Sequence, residues 1–530
     1  MPLKRAWFGL LVLVLLLAGC GTQSAQRNER TLVYGLTLEP SGFDPHIHQS
    51  SELGIVLRQV YDTLVYRHPE TREIVPGLAT EWEISEDGRV YTFRLRQDVT
   101  FHDGTRFDAN AVAANLDRIM ELGPLSQRAR FLLGPYERYE LVDSYTIQMV
   151  LSSSFSPLLD ALSQVYLGMA SPLALSEYSN NRYQFHQVGT GPFRFEKYTP
   201  GSEIVLERYE DYNWGPDFYQ APADDAVQRI QYRFFTDPAT RAAALESGEV
   251  AVMGELLPAS ARSLTANSQV RLMPTLIPGI PLQFMMNIEQ SPTNSQAFRQ
   301  ALLYATNRSV IVDTVFQGFS PIAWGPLSQA TLHYHRDVQG MYAYDVARAR
   351  QMLETQGYED ADDNGFLDMG EGDLELVMIV PPWGLLPQVA QLIQDQWREV
   401  GIRLTLVSVP GLTALRERVA EGDYHLVAFD SAGLDPSIIN QFYLSDGANN
   451  FINVNSPELD ATLLAAVEEM SPGTRRNLYA RIQLFIMEQA LILPIRDYVN
   501  LNASAASIDG LEYDPYGWFP LMNNVRFVGD

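Results

Sequence analysis

Twelve residues near the middle of the chain, DADDNGFLDMGE (360–371), have the spacing of a calcium-binding loop. Gly365 would permit the sharp turn, and the oxygen ligands would come from Asp360, Asp362, Asn364, Phe366, Asp368 and Glu371. An EF-hand needs a helix on both sides, but here a helical pattern precedes the loop and a strand pattern follows it. The sequence therefore predicts a structural calcium ion or, alternatively, a plain acidic turn, and argues against a calcium sensor.

Other chemistry-bearing residues give weaker patterns. His46 and His48 form an H-x-H pair, as do His333 and His335, but no third ligand is in view, so we expect loop or surface residues. The chain has no H-E-x-x-H, G-x-x-x-x-G-K-[ST] or G-x-S-x-G motif. Its one cysteine is Cys20. The residues therefore give no support for an enzyme, although a secreted hydrolase stays open as an alternative.

The N-terminus predicts export. Lys4 and Arg5 precede an apolar run, residues 6–19, that is shorter than the roughly 20 residues a membrane-spanning helix needs. We interpret residues 1–19 as a signal peptide. The run ends in LAGC, which resembles a bacterial lipobox, so we expect lipidation of Cys20 and a lipid-anchored linker at 20–30. The alternative is an uncleaved signal anchor.

The length, composition and net charge of the chain limit the classes of protein to which it can belong. A chain of 530 residues is too long for one core, so two or three domains are expected. Hydrophobic residues make up 46% and charged residues 19%, an ordinary balance for a folded protein. The formal net charge of −26 would repel nucleic acid.

The second half of the chain alternates strand and helix patterns. The strand patterns LELVMIV, IRLTLVSV and HLVAFD are separated by the helix patterns LPQVAQLIQDQWREVG and ALRERVAEGDY. This alternation predicts a mostly parallel sheet with helical crossovers. Earlier, SQAFRQALLYATNRSVIVDTVFQG predicts one helix that Gly318 closes.

Several stretches resemble, in order along the chain, those of one protein family. They are LTLEPSGFDPH (36–46), VPGLATEWEISEDGRVYTFRLRQDVTFHDGTRFDANAV (75–112), GTGPFRFEKYTPGSEIVLERYEDYNWG (189–215), FRQALLYATNR (298–308), YDVARARQMLETQGY (344–358) and IDGL (508–511). On these stretches the chain is identified as a member of the family 5 extracellular solute-binding proteins, the oligopeptide, dipeptide and nickel receptors of ABC importers.

The resemblance implies an α/β, two-lobed periplasmic-binding-protein-like fold (type II, cluster C-like) with an extra inserted domain. Domain I would comprise 31–72, 187–279 and 497–530, domain II the insertion 73–186, and domain III 280–496. Hinges are expected near residues 279 and 497. Ligand binding would close the two lobes over the solute.

The resemblance also implies where the solute is held. Glu39 matches an acidic residue at the cleft edge of some peptide binders, or is a solvated loop charge. Phe429 matches an aromatic residue of the cleft wall, or is a core aromatic. Peptide binders carry an aspartate three residues later that pairs with the α-ammonium, and Ala432 stands there instead. The expected solute contacts are Glu39, Phe429, Asp430, Ser431, Ala432 and Tyr498, with Asp430 able to substitute for the missing aspartate.

The implied function is that of a lipid-anchored, extracytoplasmic receptor, in the periplasm or on the outer face of the cell membrane. It would be a monomer that captures an oligopeptide or similar small polar oligomer and delivers it to the permease subunits of an ABC importer. No cofactor is expected beyond the structural calcium. Oligosaccharide binding and a signalling or chaperone-like role remain alternatives.

Overall fold

Three β-sheets organise the chain, which a computed structural model describes for residues 30–370 and 372–528. The expected signal peptide, Cys20 and Glu371 lie outside these described residues. The three sheets correspond to a first lobe, an insertion and a second lobe.

The first lobe is built on a seven-stranded sheet. In sheet order its strands are Val270–Leu276, Val499–Ala505, Val252–Met253, Thr31–Leu36, Arg229–Phe234, Glu203–Arg208 and Phe193–Thr199. Thr31–Leu36 pairs parallel with both of its neighbours, and the remaining pairs are antiparallel. The helices are Ser51–Val60, Pro238–Glu246 and Pro258–Leu264. Three two-stranded ribbons complete the lobe: Val65–Arg67 with Ile74–Pro76, Ile508–Asp509 with Arg526–Phe527, and Glu512–Tyr513 with Pro520–Leu521.

The insertion is a four-stranded antiparallel sheet with short helices. Its strands, in sheet order, are Ala79–Ile84, Val90–Leu95, Thr146–Leu151 and Tyr136–Asp143. Its helices are Ala109–Leu122, Ala129–Leu132, Leu158–Ala161, Pro172–Glu177 and Asn180–Tyr183. Alternating Tyr91, Phe93 and Leu95 are buried, and they belong to the same hydrophobic cluster as Leu32 and Tyr34 of the first lobe. The insertion therefore shares a core with the first lobe.

The second lobe contains a five-stranded sheet. Its order is Arg403–Ser408, Glu375–Val380, Leu426–Ala432, Gly279–Met286 and Ile492–Arg496. The first three strands are mutually parallel, as the alternating pattern predicts. The last two pair antiparallel because they enter from and return to the first lobe, so the sheet is mixed rather than mostly parallel.

Helices cover this second sheet. They are Gln296–Ala305, Arg308–Val315, Val346–Thr355, Leu386–Arg398, Leu412–Ala420, Asn440–Tyr443, Pro457–Glu468 and Pro472–Glu488. A ribbon pairs Asp368–Met369 with Gly372–Asp373. Short 3-10 helices elsewhere in the chain span Gly123–Leu125, Val165–Leu167, Arg336–Val338 and Pro436–Ile439.

The prediction of a single helix that Gly318 closes is wrong. The first helix ends at Ala305, and Asn307 caps a second helix, Arg308–Val315. Asn307 has a non-helical backbone, and its side chain accepts a hydrogen bond from the N–H of Val310 at 3.2 Å. An N-cap of this kind starts a new helix. The preceding Thr306 accepts a hydrogen bond from the indole of Trp397 at 3.0 Å, which fixes the break against the helix Leu386–Arg398.

Two short crossings join the lobes. The chain passes from Val270–Leu276 through Ile277 and Pro278 into Gly279–Met286, and it returns through Asp497 and Tyr498. The two crossings lie side by side, since the N–H of Ile277 donates to the carbonyl of Tyr498 at 2.8 Å. The crossings lie near residues 279 and 497, where the family resemblance implies hinges, and bending at these positions stays a prediction.

Gly279 is the tightest point of the first crossing. Its φ is +123°, and a Cβ there would lie 2.2 Å from the carbonyl oxygen of Ser431 and 2.6 Å from the amide nitrogen of Gly433. Only glycine fits this close approach of two backbones.

We predict that Gly279→Ala lowers the free energy of unfolding by roughly 2–4 kcal/mol, because the backbone of Ser431 and Gly433 must move away from the added Cβ. Urea unfolding followed by fluorescence measures this. Gly422→Ala is the matched control, since Gly422 also has positive φ (+79°) but nothing within 4 Å of the added Cβ. The control should lose only about 1–2 kcal/mol. Equal losses in the two variants would contradict a steric role for Gly279.

Candidate functional site

A pocket of about 230 Å³ lies at the two crossings between the lobes. We call it the hinge pocket. Its walls come from both lobes and are Glu255, Ile277, Pro278, Ile280, Trp383, Gly384, Asp430, Ser431, Ala432, Tyr498 and Trp518. Four of the residues expected to contact the solute, namely Asp430, Ser431, Ala432 and Tyr498, are therefore brought together here.

The end of the strand Leu426–Ala432 positions the acidic side of the pocket. Ala432 pairs with Gly279 and Ser431 pairs with Ile280, so the strand end is fixed directly against the first crossing. Alternate residues of a strand face the same side. Asp430 therefore shares a face with Ala432, the position where the family's peptide binders carry their aspartate.

Asp430 is a carboxylate of this pocket that has no ion pair among the described residues. It is half-buried. Burial raises the pKa of its carboxyl group, and the positive charge of Arg496 together with a hydrogen bond from Trp383 opposes part of that rise. A partly buried carboxylate that no cation pairs with at short range favours binding of a cationic group.

Glu255 supplies a second carboxylate, from the first lobe. Its φ of +47° is unusual for a residue other than glycine. The side-chain oxygen of Asn500 accepts its N–H at 3.0 Å, and Arg241 donates to its carbonyl at 2.8 Å. The Arg241 guanidinium is a distant 4.0 Å from its carboxylate. These contacts hold the strained backbone and turn the Glu255 side chain toward the pocket.

Three aromatic side chains complete the walls: Trp383, Tyr498 and Trp518. The Tyr498 ring lies between the Arg496 guanidinium, 4.6 Å from its centroid, and the Trp518 ring, at 5.8 Å. Sequence analysis did not identify Glu255 or the two tryptophans. Trp383 and Gly384 lie just before the helix Leu386–Arg398, and this pair was the sequence signal that could have identified Trp383 as a site residue.

The other two expected contacts are placed elsewhere. Glu39 accepts hydrogen bonds from the Tyr198 hydroxyl at 2.5 Å and from the N–H of Gly201 at 2.8 Å. Phe429 packs against Phe442 and Phe451, with ring centroids 5.2 and 5.7 Å away. Neither residue lines the hinge pocket. Phe429 has the packing of a core aromatic, its alternative, whereas Glu39 is hydrogen-bonded rather than a solvated loop charge, and solute contact by either residue stays a prediction.

A larger cavity, of about 690 Å³, borders the same loop on its other side. Gly433, Leu434 and Asp435 line this cavity, whereas Asp430 to Ala432 line the hinge pocket. The six consecutive residues 430–435 therefore contribute to the walls of both spaces.

The acidic loop lies at the outer end of the second lobe. The carboxylate of Asp360 accepts the N–H groups of Asn364 and Gly365 at 3.0 and 2.9 Å. Asp368 accepts the N–H of Ala361 at 2.8 Å. Within residues 30–370 and 372–528, no group of three or more His, Cys, Asp or Glu is arranged to hold a metal ion. Glu371 is outside those ranges, so calcium binding stays a prediction.

Comparisons with known proteins agree with this architecture. Residues 73–452 match the model of the family described as bacterial extracellular solute-binding proteins, family 5. The chain is 26% identical to the dipeptide-binding protein of Escherichia coli (strain K12), with 94% of each chain covered. It is 27% identical to the heme-binding protein A of Haemophilus influenzae, covering 94% of this chain and 92% of the relative.

A solved structure shares the fold. NikA from Brucella suis, in complex with Fe(III)-EDTA, superposes with a TM-score of 0.83 at 22% identity, covering 94% of this chain and all of NikA. The two-lobed fold is thus that of the periplasmic binding proteins. The chain belongs to the family 5 solute-binding proteins, which bind small solutes for ABC importers and are not enzymes. None of the helices in the described ranges has the length and apolar character to cross a membrane.

We predict that calcium raises the melting temperature of the protein and that Glu371→Gln abolishes the rise, because the loop's last ligand would lose its second anionic oxygen. Differential scanning fluorimetry with calcium, and with magnesium for comparison, measures the shift. Glu375→Gln, on the following strand, is the control. An unchanged wild-type melting temperature in millimolar calcium would leave only an acidic turn.

Proposed function

We propose that this receptor captures a solute with a cationic group, most simply a short peptide with a free α-ammonium, and delivers it to an ABC importer. The observation that carries the proposal is Asp430, a half-buried carboxylate without an ion-pair partner in the described ranges, in a pocket shared by both lobes.

The pocket's chemistry favours a cation over a neutral group. Asp430 and Glu255 bring negative charge from opposite lobes. Trp383 and Trp518 add aromatic walls, and aromatic rings attract cations and exclude water. An ammonium group between the two carboxylates would favour the closed arrangement, since it interacts with both lobes at once.

The size of the pocket supports an oligomeric solute. A volume of about 230 Å³ is below the 300 Å³ or so at which pockets begin to enclose whole small ligands. The hinge pocket would thus hold one end of the solute. The similarity to a dipeptide-binding protein supports a peptide as the solute. Asp430 would then take the place of the aspartate that is missing at Ala432.

We predict that Asp430→Asn weakens binding of short peptides by about tenfold to a hundredfold, since a charge-assisted hydrogen bond to the ammonium is lost. Isothermal titration calorimetry measures the dissociation constant. Asp423→Asn, an exposed carboxylate of the same lobe, is the matched control and should bind like the wild type.

N-acetylated peptides provide the second arm of this experiment. The wild type should bind them as weakly as Asp430→Asn binds the free peptides. Equal affinity of the wild type for free and acetylated peptides would contradict the proposal. Tight binding of an oligosaccharide, unaffected by Asp430→Asn, would show instead that the aromatic walls serve a sugar.

We also propose that the receptor is anchored to the membrane through a lipid on Cys20, which the sequence LAGC supports. In cells fed a labelled fatty acid, the full-length wild type should incorporate label and fractionate with membranes. Cys20→Ser should lose both properties, because no other thiol is present. Label incorporation by Cys20→Ser, or a soluble wild type, would contradict the anchor.

A further inference from the structure

A serine-rich loop of the insertion, residues 152–157, contacts the second lobe at a place where the chain itself does not cross. We call it the serine loop. The N–H and the hydroxyl of Ser156 both donate to the carbonyl oxygen of Val467, at 2.9 and 2.8 Å. The hydroxyl of Ser154 donates to the carbonyl oxygen of Glu468 at 2.7 Å. Both carbonyl groups belong to the end of the second-lobe helix Pro457–Glu468.

The insertion completes the C-terminal end of this helix. The last four carbonyl groups of an α-helix have no partner within the helix itself. Here the N–H of Glu469 donates to the first of the four at 3.0 Å, and the Arg475 guanidinium donates to the second at 2.9 Å. The donors to the other two, those of Val467 and Glu468, are the serines of the insertion. Separation of the lobes would therefore exchange these bonds for hydrogen bonds with water.

An apolar contact accompanies the hydrogen bonds. Met470, two residues after the helix end, is half-buried and packs against the hydrophobic cluster that the first lobe and the insertion share. Its sulfur lies 3.9 Å from the Tyr91 hydroxyl, which donates to the carbonyl of Phe155 at 3.0 Å. Phe155 stands between the two serines, so the methionine and the hydrogen bonds belong to one contact surface.

Gly88 leaves the space that Met470 occupies. Its φ is +70°, and a Cβ built on it would lie 2.9 Å from Cγ of Met470 and closer still to the hydroxyl oxygen of Ser154. A side chain at position 88 would therefore push both groups away. The turn at Gly88 and the serine loop together form the surface that receives the second lobe.

The same contact closes one side of the larger cavity. Phe155 and Pro157 of the serine loop line this cavity, and so does Val467 of the helix end. These residues come from the insertion and from the second lobe. Separation of the two at the serine loop would therefore open a wall of the cavity to solvent.

We propose that the serine loop, the end of the helix Pro457–Glu468 and Met470 form a latch that holds the receptor closed. The inference goes beyond the proposed function, because none of these residues lines the hinge pocket and the contacts require no particular solute. It requires the opening of the lobes at the two crossings that the family resemblance implies. The latch stabilises the closed arrangement and so slows the escape of the solute that the receptor holds.

Disulfide trapping tests whether the contact forms in solution. In the full-length chain with Cys20→Ser, the pair Gly88→Cys and Met470→Cys should form a disulfide with oxidised glutathione, because position 88 lies next to Cγ of Met470. Intact mass measures the loss of two hydrogen atoms, and a reductant should reverse it. Gly104→Cys with Met470→Cys is the matched control, since Gly104 also has positive φ (+82°) but nothing within 4 Å of its Cβ. Equal yields in the two pairs, or no disulfide in the first, would overturn the latch.

Spin labels measure how much the latch contributes to closure. One label is attached at Glu121→Cys in the insertion and one at Glu417→Cys in the second lobe, both exposed positions, in the same Cys20→Ser chain. Double electron–electron resonance then gives the distribution of distances between the lobes without added solute. The labelled chain should show a closed population, because the latch forms without a solute.

Two serine substitutions remove the hydroxyl donors of the latch. Ser154→Ala with Ser156→Ala should lower the ratio of closed to open molecules by roughly tenfold to thirtyfold, because two neutral hydrogen bonds are lost. Ser152→Ala is the matched control, since the Ser152 hydroxyl donates to the carbonyl of Pro135 within the insertion. This control should keep the wild-type ratio.

The outcomes separate the latch from the proposed function. A labelled wild type without a closed population, or a double serine variant with the wild-type ratio, overturns the latch and leaves the peptide assignment untouched, since no solute is present. If instead the double variant opens while Asp430→Asn binds peptides like the wild type, the latch stands and the proposed function is wrong.

Discussion

Backbone pairing at the two crossings constrains the whole molecule. The strand Gly279–Met286 pairs with Leu426–Ala432 on one side and Ile492–Arg496 on the other, so both connections between the lobes are locked into one sheet. Only a few residues, such as Ile277 and Tyr498, lie between the sheets of the two lobes. The same residues line the hinge pocket, so a solute bound there contacts the segment that a closure of the lobes would bend.

The acidic side chains near the two cavities differ in whether a cation pairs with them. Asp435 with Arg475 and Asp160 with Arg67 are paired at short distances and stabilise the walls. Asp430 is half-buried and forms no ion pair within the described ranges. A carboxylate in this state is complementary to a cationic group of a solute, as the proposed function requires.

Local patterns predicted much of the fold, because the period of the hydrophobic residues records which face is buried. The alternation of Tyr91, Phe93 and Leu95 and the helix Leu386–Arg398 are examples. The break at Asn307 was missed because the apolar pattern continues through it. Of the candidate site, sequence reasoning found the strand end Asp430 to Ala432 and Tyr498 at the second crossing. Glu255 and Trp518 were missed because tertiary folding, which no local pattern records, brings them to the pocket.

A crystal structure of the protein with a bound solute shows whether the hinge pocket holds the cationic end of that solute. We expect solute density in the hinge pocket, with a nitrogen within hydrogen-bonding distance of the Asp430 carboxylate. Solute density confined to another surface of either lobe, with the hinge pocket filled only by water, would contradict it.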